Sequence, residues 1–415
     1  MRVLYVVASC LTKNTSANMS HNAYVQGLLE NGCEVDILMA QDSWGEEDKA
    51  LPRWEKANYY VYRSVSLADR IRRYVGKQTR SAVSQEKSME IGEGTTTEKQ
   101  SAEVKLRILL KQLYYAAFPV DPVYPLDKEW LKQAAKFRSN ERYDMVISNS
   151  SPSASHKLVV LLRAKGNIHF NRWVQIWEDP WYYDLYGNRD ERVKEEEHAL
   201  LREASEVYYV SPLTLMYQKQ YYSDCAHKMK CIPLPFLKLK GEGLSMSEEV
   251  SFGYFGDYYA KTRNLKPFYA ALLETGARGY ICGDTDICLK PTEQITVSGR
   301  MTLDKLAEIQ ERTGVLVHLC NLRGGQIPGK VYHYSATMKP ILFILDGLPE
   351  EKRMIREFFG KFNRYCFCDN DPESISDAIK MIMANKDHFR GMIVDAFEPK
   401  QVVMKILRDQ PYGSE

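Results

Sequence analysis

Arg2-Val-Leu-Tyr-Val-Val7, a polar stretch from Thr12 to Ser20, then Ala23, Val25, Leu28 and Leu29 ahead of Asn31-Gly32, then Val35-Asp-Ile-Leu-Met39: this opening decides the fold. Val3 to Val7 is an unbroken apolar run, the mark of a strand buried on both faces of a parallel sheet. The polar stretch leads into apolar residues at helical spacing, and Asn31-Gly32 stops that helix. A second strand follows at Val35. Strand, loop, helix, stop and strand within about forty residues form a βαβ unit of a doubly wound α/β sheet.

Working outward, further strands read at 145–148, 173–176 and 207–210, with a helix over 191–204. Between the second and third strands lies a poorly patterned insertion, about 63–128. It carries Arg70, Arg72, Arg73, Lys77 and Arg80, a Ser/Thr/Glu/Gly tract over 85–101, and a helical stretch around Val104 to Tyr114 with Lys105, Arg107 and Lys111 interleaved. A basic amphipathic surface of this kind suits peripheral contact with an anionic membrane, although an ordinary solvated helical insertion is the more common source of such a pattern. The polar stretch 238–249, with Gly241 and Gly243, is the linker. After it the alternation restarts, with strands at 250–255, 280–282, 315–318 and 341–345 and helices over 265–273, 303–312 and 372–384. The expected organisation is a first Rossmann-like domain over 1–238, a second over 249–394, and a terminal segment, 395–415, whose helix crosses back onto the first.

A chain of 415 residues is too long for one ordinary core, which agrees with two domains. A net charge of +2 gives no general preference for nucleic acid or for acidic partners. Nine cysteines, an odd number without a secreted-scaffold rhythm, favour reduced thiols and a cytoplasmic setting. The first residues read as a strand rather than a signal peptide, and no stretch reaches the roughly 18 uncharged residues of a spanning helix. Cys225, His227 and Cys231 lack an evident fourth ligand, so they read as thiols in a surface segment and no metal is expected.

Ligands of open α/β sheets bind beyond the carboxyl ends of the strands. Three such ends in the second domain carry suggestive groups. Gly256-Asp-Tyr-Tyr-Ala-Lys-Thr-Arg-Asn264 follows one strand, Gly283-Asp284 a second, and Gly324-Gly-Gln-Ile-Pro-Gly-Lys-Val-Tyr-His-Tyr334 a third. Glycine frees the backbone for close approach, while Lys261, Arg263 and Lys330 offer charge for phosphate. Pro328 suits the first turn of a helix whose positive end would face an anion. Together the three loops point to a diphosphate-bearing ligand.

These loops, with Lys339-Pro-Ile-Leu342, resemble the donor half of GT-B glycosyltransferases, and most closely the retaining group classed as family 4. The first domain is similar to the same group through Asn31-Gly-Cys-Glu-Val35, Phe118-Pro-Val-Asp121, Tyr143-Asp-Met-Val-Ile147, Ser151-Pro-Ser-Ala-Ser-His156 and Glu178-Asp-Pro-Trp181. The resemblance implies two Rossmann-like domains facing each other across a cleft. A nucleotide-sugar donor would bind the second domain, and a glycan or lipid-linked acceptor the first. Transfer would retain configuration through an oxocarbenium-like transition state, in bacterial surface-polysaccharide synthesis at the inner face of the plasma membrane.

It also implies roles. Arg263 and Lys330 would hold the diphosphate and stabilise the leaving group, taking the place of a metal or other cofactor. Gly256 and Gly283 would admit the nucleotide, Asn264 would belong to the donor loop, and His333 would face the ribose. Two glutamates usual in the group are missing. His333 stands at one of these positions, and Gly325 or Gln326 near the other, where Gln326 can hydrogen-bond a sugar without charge. Asp179 and His156 would orient or deprotonate the acceptor hydroxyl. Apart from the resemblance, Tyr182, Tyr183 and Tyr186 near the cleft suit stacking on sugars on the acceptor side, although aromatic residues more often serve the core. Other readings stand beside these: Asp179 as a turn cap before Pro180, His156 as a satisfied helix-start histidine, and the chain as a non-catalytic partner of an active transferase.

Overall fold

The computed structural model of the chain describes residues 1–42, 47–66, 121–185, 187, 189–238, 250–301, 303–323, 325–385 and 391–408. The basic residues Arg70 to Arg80, the helical stretch around 104–114, Phe118-Pro-Val, the linker beyond Lys238, Tyr186 and Gly324 lie outside the described residues.

The first sheet is built from β1 (Arg2–Val7), β2 (Glu34–Ala40), β3 (Ala57–Tyr62), β4 (Arg142–Ser150), β5 (His169–Trp177), β6 (Glu206–Tyr209) and β7 (Met229–Cys231). Its order is β3-β2-β1-β4-β5-β6-β7 and every pairing is parallel. Between the strands run α1 (Ser16–Glu30), α2 (Lys128–Ala134), α3 (Ala154–Ala164), α4 (Glu191–Glu203) and α5 (Pro212–Tyr221). The second sheet, order β10-β9-β8-β11-β12-β13, is again wholly parallel. Its strands are β8 (Ser251–Phe255), β9 (Arg278–Cys282), β10 (Ile295–Ser298), β11 (Val315–Leu319), β12 (Ile341–Leu345) and β13 (Tyr365–Asp369). Its helices are α6 (Lys266–Thr275), α7 (Leu303–Arg312), α8 (Lys330–Tyr334), α9 (Pro349–Gly360) and α10 (Pro372–Ala384), and α11 (Pro399–Leu407) closes the described chain.

The apolar run in β1 is explained by its neighbours. Val3, Tyr5 and Val7 pack on α1 through Tyr24, Val25 and Leu28, whereas Leu4 and Val6 face Trp130, Leu158 and Trp173. Period-two alternation with both faces covered leaves no position for a polar side chain. Thr15 caps α1 by accepting from the Asn18 amide at 3.1 Å, and Gly32, at φ 74°, lets the chain turn away from its end.

The core on the α1 side of the first sheet does not stop at the domain. It runs through Val210 and Leu213 to Ile327, Val331, Tyr332 and Phe343 of the second domain, and to Phe397, Val402 and Val403. Helix α11 therefore lies on α1. A Cβ at Gly27 would sit 2.2 Å from the Pro399 carbonyl oxygen, so only glycine admits this crossing. Asn31 Nδ2 donates to the Lys400 carbonyl at 2.9 Å, and Lys238 pairs with Glu398 at 2.9 Å. In each sheet the strand order reverses beside the first strand, which puts the two crevices at the carboxyl ends of β1 with β4 and of β8 with β11.

Candidate functional site

Beyond β8 and β9 the two strand-end loops abut. A Cβ on Gly283 would lie 1.9 Å from the Gly256 carbonyl oxygen, so Gly283 is required for the rim itself. The Gly256 position is open by comparison, with Lys330 Cε 3.9 Å from where a Cβ would stand. Lys330, the first residue of α8, thus reaches over the end of β8. Burial pushes its ammonium down to about 8; Asp257 opposes this, and the like charges of Arg263 and Arg300 add to it. Arg263 lies within the same field, hydrogen-bonded with Tyr254 and close to His318 of β11. Two cations held together in a half-buried place favour an anion beside them. Asp257 is already engaged, accepting the Asp284 amide at 3.0 Å and pairing with Arg300.

The other donor-side candidates divide. His333 is half-buried near Lys330, and burial followed by that charge lowers its imidazole to about 4, so it stands neutral. Asn264 accepts the Lys266 amide at 3.2 Å, and its carbonyl accepts from Asn370 at 3.1 Å; it shapes the loop ahead of α6. Lys261 is exposed. Lys339 is structural: its ammonium donates to the carbonyls of Gln310, Glu311 and Thr313 at 2.6, 2.8 and 2.9 Å, closing the end of α7.

Two expectations need correction. The segment before Lys330 reads in sequence as a phosphate-cradling turn opening a helix. Gly325, at φ 73°, instead packs against the first domain, where its carbonyl accepts from Ser211 at 2.8 Å and Thr214 at 3.1 Å. A Cβ there would meet the Tyr217 ring at 2.9 Å, so its glycine serves the domain seam. Helix α8 has only five residues, too short to present a dipole of any size. The second correction is His156. It is fully buried in α3, its Nδ1 2.7 Å from Ser148 Oγ and its ring 4.3 Å from that of Trp177. Its Nε2 has no partner, and burial pushes the imidazole down to about 3. It faces the core beneath the sheet and cannot deprotonate an acceptor.

Asp179, just past β5, does reach the seam. Gln326 Nε2 donates to Asp179 Oδ1 at 2.6 Å and to Asp184 Oδ2 at 2.7 Å, while Gln326 Oε1 accepts the Leu185 amide at 3.0 Å. One amide from the second domain thereby holds a whole loop of the first. Burial raises the Asp179 carboxyl to about 6; the Gln326 bond lowers it and the Asp184 charge raises it. The loop is fixed from behind by Glu197 of α4, which is buried and accepts the amides of Trp181 at 3.1 Å and Tyr182 at 2.8 Å and the Tyr222 hydroxyl at 3.0 Å. Tyr182 donates to Glu191, and Tyr183 stacks on Tyr221.

Several of these groups have no warning in the sequence. Glu197 sits in the run Glu195-Glu196-Glu197, which reads as a solvated face. His21, fully buried in α1, lies 3.3 Å from the Tyr5 hydroxyl and 3.6 Å from Glu178 Oε1, with its Nε2 3.3 Å from the Ser151 carbonyl. Burial drives Glu178 up, with Asp179 adding to it, and drives His21 down to about 4, so burial disfavours the charged form of both groups beside Asp179. Among the described residues His198, Asp224 and Cys225 come close enough to suggest a metal, but Arg202 already pairs with Asp224 at 3.0 Å.

No family model matches the sequence, and no curated protein matches it. Solved structures do match in fold. A glycosyltransferase from Rickettsia africae ESF-5 superposes with a TM-score of 0.54 at 10% identity, over 99% of this chain and 97% of its own. An α-glucosyltransferase solved with UDP and a 13-mer DNA superposes with a TM-score of 0.52 at 14% identity, over 98% and 95%. Both span nearly the full length of both chains. The fold is GT-B.

Proposed function

We propose that the chain is a nucleotide-sugar-dependent glycosyltransferase. The observation that carries this reading is the half-buried pair Arg263 and Lys330 above the Gly256–Gly283 rim, across the domain seam from Asp179. In this reading the cations bind the donor diphosphate and stabilise the charge that develops as the sugar–phosphate bond breaks. Gly256 leaves room for the nucleotide, and His333 lies toward the ribose. Asp179 orients the acceptor hydroxyl on the face from which the diphosphate departs and takes its proton as the glycosidic bond forms and the sugar–phosphate bond breaks, the course that retention requires. Domain opening would break the Gln326 contacts to Asp179 and Asp184. The proposal extends to a hexosyl donor, to retention, and to a glycan or lipid-linked acceptor of bacterial surface-polysaccharide synthesis, on the resemblance in sequence pattern. Neither a metal nor a nucleic-acid partner is part of it.

The direct test is transfer or donor hydrolysis with a panel of UDP-, GDP-, ADP- and CMP-sugars. Asp179→Asn should lower turnover at least 100-fold with donor affinity within about threefold, the range a general base contributes; an unchanged rate removes Asp179 from the mechanism. A second reading, a non-catalytic partner of an active transferase, is favoured by one observation: the Asp179 carboxylate is already occupied by Gln326. Nucleotide binding without turnover of any donor would select it. No helix among the described residues is long and apolar enough to cross a membrane. Peripheral attachment through the basic residues Arg70 to Arg80 is proposed from the sequence. Reversing those charges should abolish sedimentation with anionic vesicles, and equal pelleting would remove the membrane from the account.

A further inference from the structure

Beside the loop that carries Asp179 and Asp184, four tyrosines gather at the surface. Tyr183 and Tyr221 stack with ring centroids 3.6 Å apart and planes at 18°. Tyr217 continues the stack from Tyr221 at 6.3 Å and 12°, and Tyr182 meets Tyr183 edge-on at 4.8 Å. Tyr221, the last residue of α5, is 41% exposed, and Tyr182 and Tyr183 are half-exposed. Aromatic rings of this size normally fill a core, and a contiguous set left at the surface marks a contact surface. The Arg189 guanidinium lies 5.6 Å from the Tyr182 ring centroid and 5.7 Å from that of Tyr183. It donates to the carbonyls of Tyr182 and Asp184, and among the described residues no carboxylate pairs with it.

The cluster is continuous with the seam. Tyr183 lies between Asp179 and Asp184 in sequence, the Tyr217 hydroxyl donates to Glu351 of the second domain at 2.9 Å, and Gly325 packs on the Tyr217 ring. Apolar ring surface edged by tyrosine hydroxyls, a guanidinium and the Glu191 carboxylate suits a pyranose, which has an apolar C–H face and a rim of hydroxyls. An acyl or isoprenoid chain would have to cover the Arg189 guanidinium, which donates only to carbonyls among the described residues.

We propose that Tyr183, Tyr217 and Tyr221, with Tyr182 and Arg189 at the margin, form a carbohydrate subsite for an acceptor sugar beyond the one that reacts. The acceptor is therefore a glycan of at least two sugars. This deepens the glycosyltransferase reading and rests on it for the word acceptor. The test is retention of the full-length protein on a printed array of mono- and oligosaccharides, with anionic and neutral lipid vesicles as controls. The wild type should be held by particular oligosaccharides and not by their terminal monosaccharides. Tyr221→Ala should weaken that binding at least tenfold, and Tyr221→Trp should restore most of it. Retention of no glycan, equal binding by Tyr221→Ala, or retention on vesicles alone overturns the subsite. Melting shifts with UDP, GDP, ADP and CMP, read on the same preparations, report the donor site separately. Glycan binding without any nucleotide shift would sink the transferase reading and leave the subsite standing; a nucleotide shift without glycan binding would do the reverse.

Discussion

Gln326 uses one nitrogen to serve two carboxylates, Asp179 at 2.6 Å and Asp184 at 2.7 Å. Its donation favours the ionised form of Asp179 against the burial that raises this group to about 6. A base works only when ionised, so turnover should fall as pH drops through about 6. Gln326→Leu removes the favourable bond and leaves burial and the Asp184 charge unopposed. The acid limb of its pH–rate profile should then move to higher pH, whereas a limb that stays in place would show that another group sets it. That a glutamine stands here is readable in the sequence; that it grips two acids about 140 positions away is not, because the contact depends on how the domains meet.

At the scale of elements, the strands legible in the sequence are those buried on both faces, such as β1, β8, β11 and β12. β3, β7 and β10 are not among them. β3 is an edge strand with half-exposed tyrosines, β7 has three residues, and β10 has four of which two are polar, so none carries a run that distinguishes it from a loop. The start of α5 does carry a signal, Ser211 ahead of Pro212, and the structure shows Ser211 accepting the Thr214 amide as its cap. Glycines are ambiguous in sequence for a physical reason. Gly27, Gly283 and Gly325 all mark close approach, but only the fold tells whether backbone, ring or ligand approaches. At Gly27 it is α11, with Val403 Cγ2 2.5 Å from where a Cβ would stand and the Pro399 carbonyl nearer still. Gly27→Ala gains roughly 1 kcal/mol of helix propensity and meets that clash, and Gly27→Val should cost about 1–3 kcal/mol by overpacking. Urea unfolding would measure it. Wild-type stability in Gly27→Val would mean that α11 does not sit on α1 in solution.

At the scale of the whole molecule, the two doubly wound sheets share an apolar core through Val210, Leu213, Ile327, Val331 and Tyr332, and α11 ties the end of the described chain to its beginning. Among the described residues, polar contacts across the seam include Tyr217 to Glu351, Ser211 and Thr214 to Gly325, Tyr332 to the Val210 carbonyl, and Gln326 to the Asp179 loop. Opening the seam would break these hydrogen bonds and expose part of the shared apolar core, which resists the motion more than the hydrogen bonds do. The general architecture is legible in the sequence because βα alternation repeats twice. The rim proposed for the donor reads in the sequence as three loops with glycine and charge; the structure brings Gly256, Gly283, Arg263 and Lys330 together, while Gly325 of the third loop packs on the first domain. The surroundings of Asp179 are not legible, since His156 turns into the core and the groups behind Asp179 come from distant helices.

The central claim is that this rim holds a nucleoside diphosphate on Arg263 and Lys330. Calorimetric titration of the full chain with UDP, GDP, ADP and CMP tests it most directly. The account predicts saturable binding of one diphosphate, weakened at least tenfold by Arg263→Ala and by Lys330→Ala, each variant retaining wild-type circular dichroism. Binding should also weaken as pH rises through about 8, where Lys330 loses its proton. No binding by the wild type, or equal affinity in both variants, would contradict it.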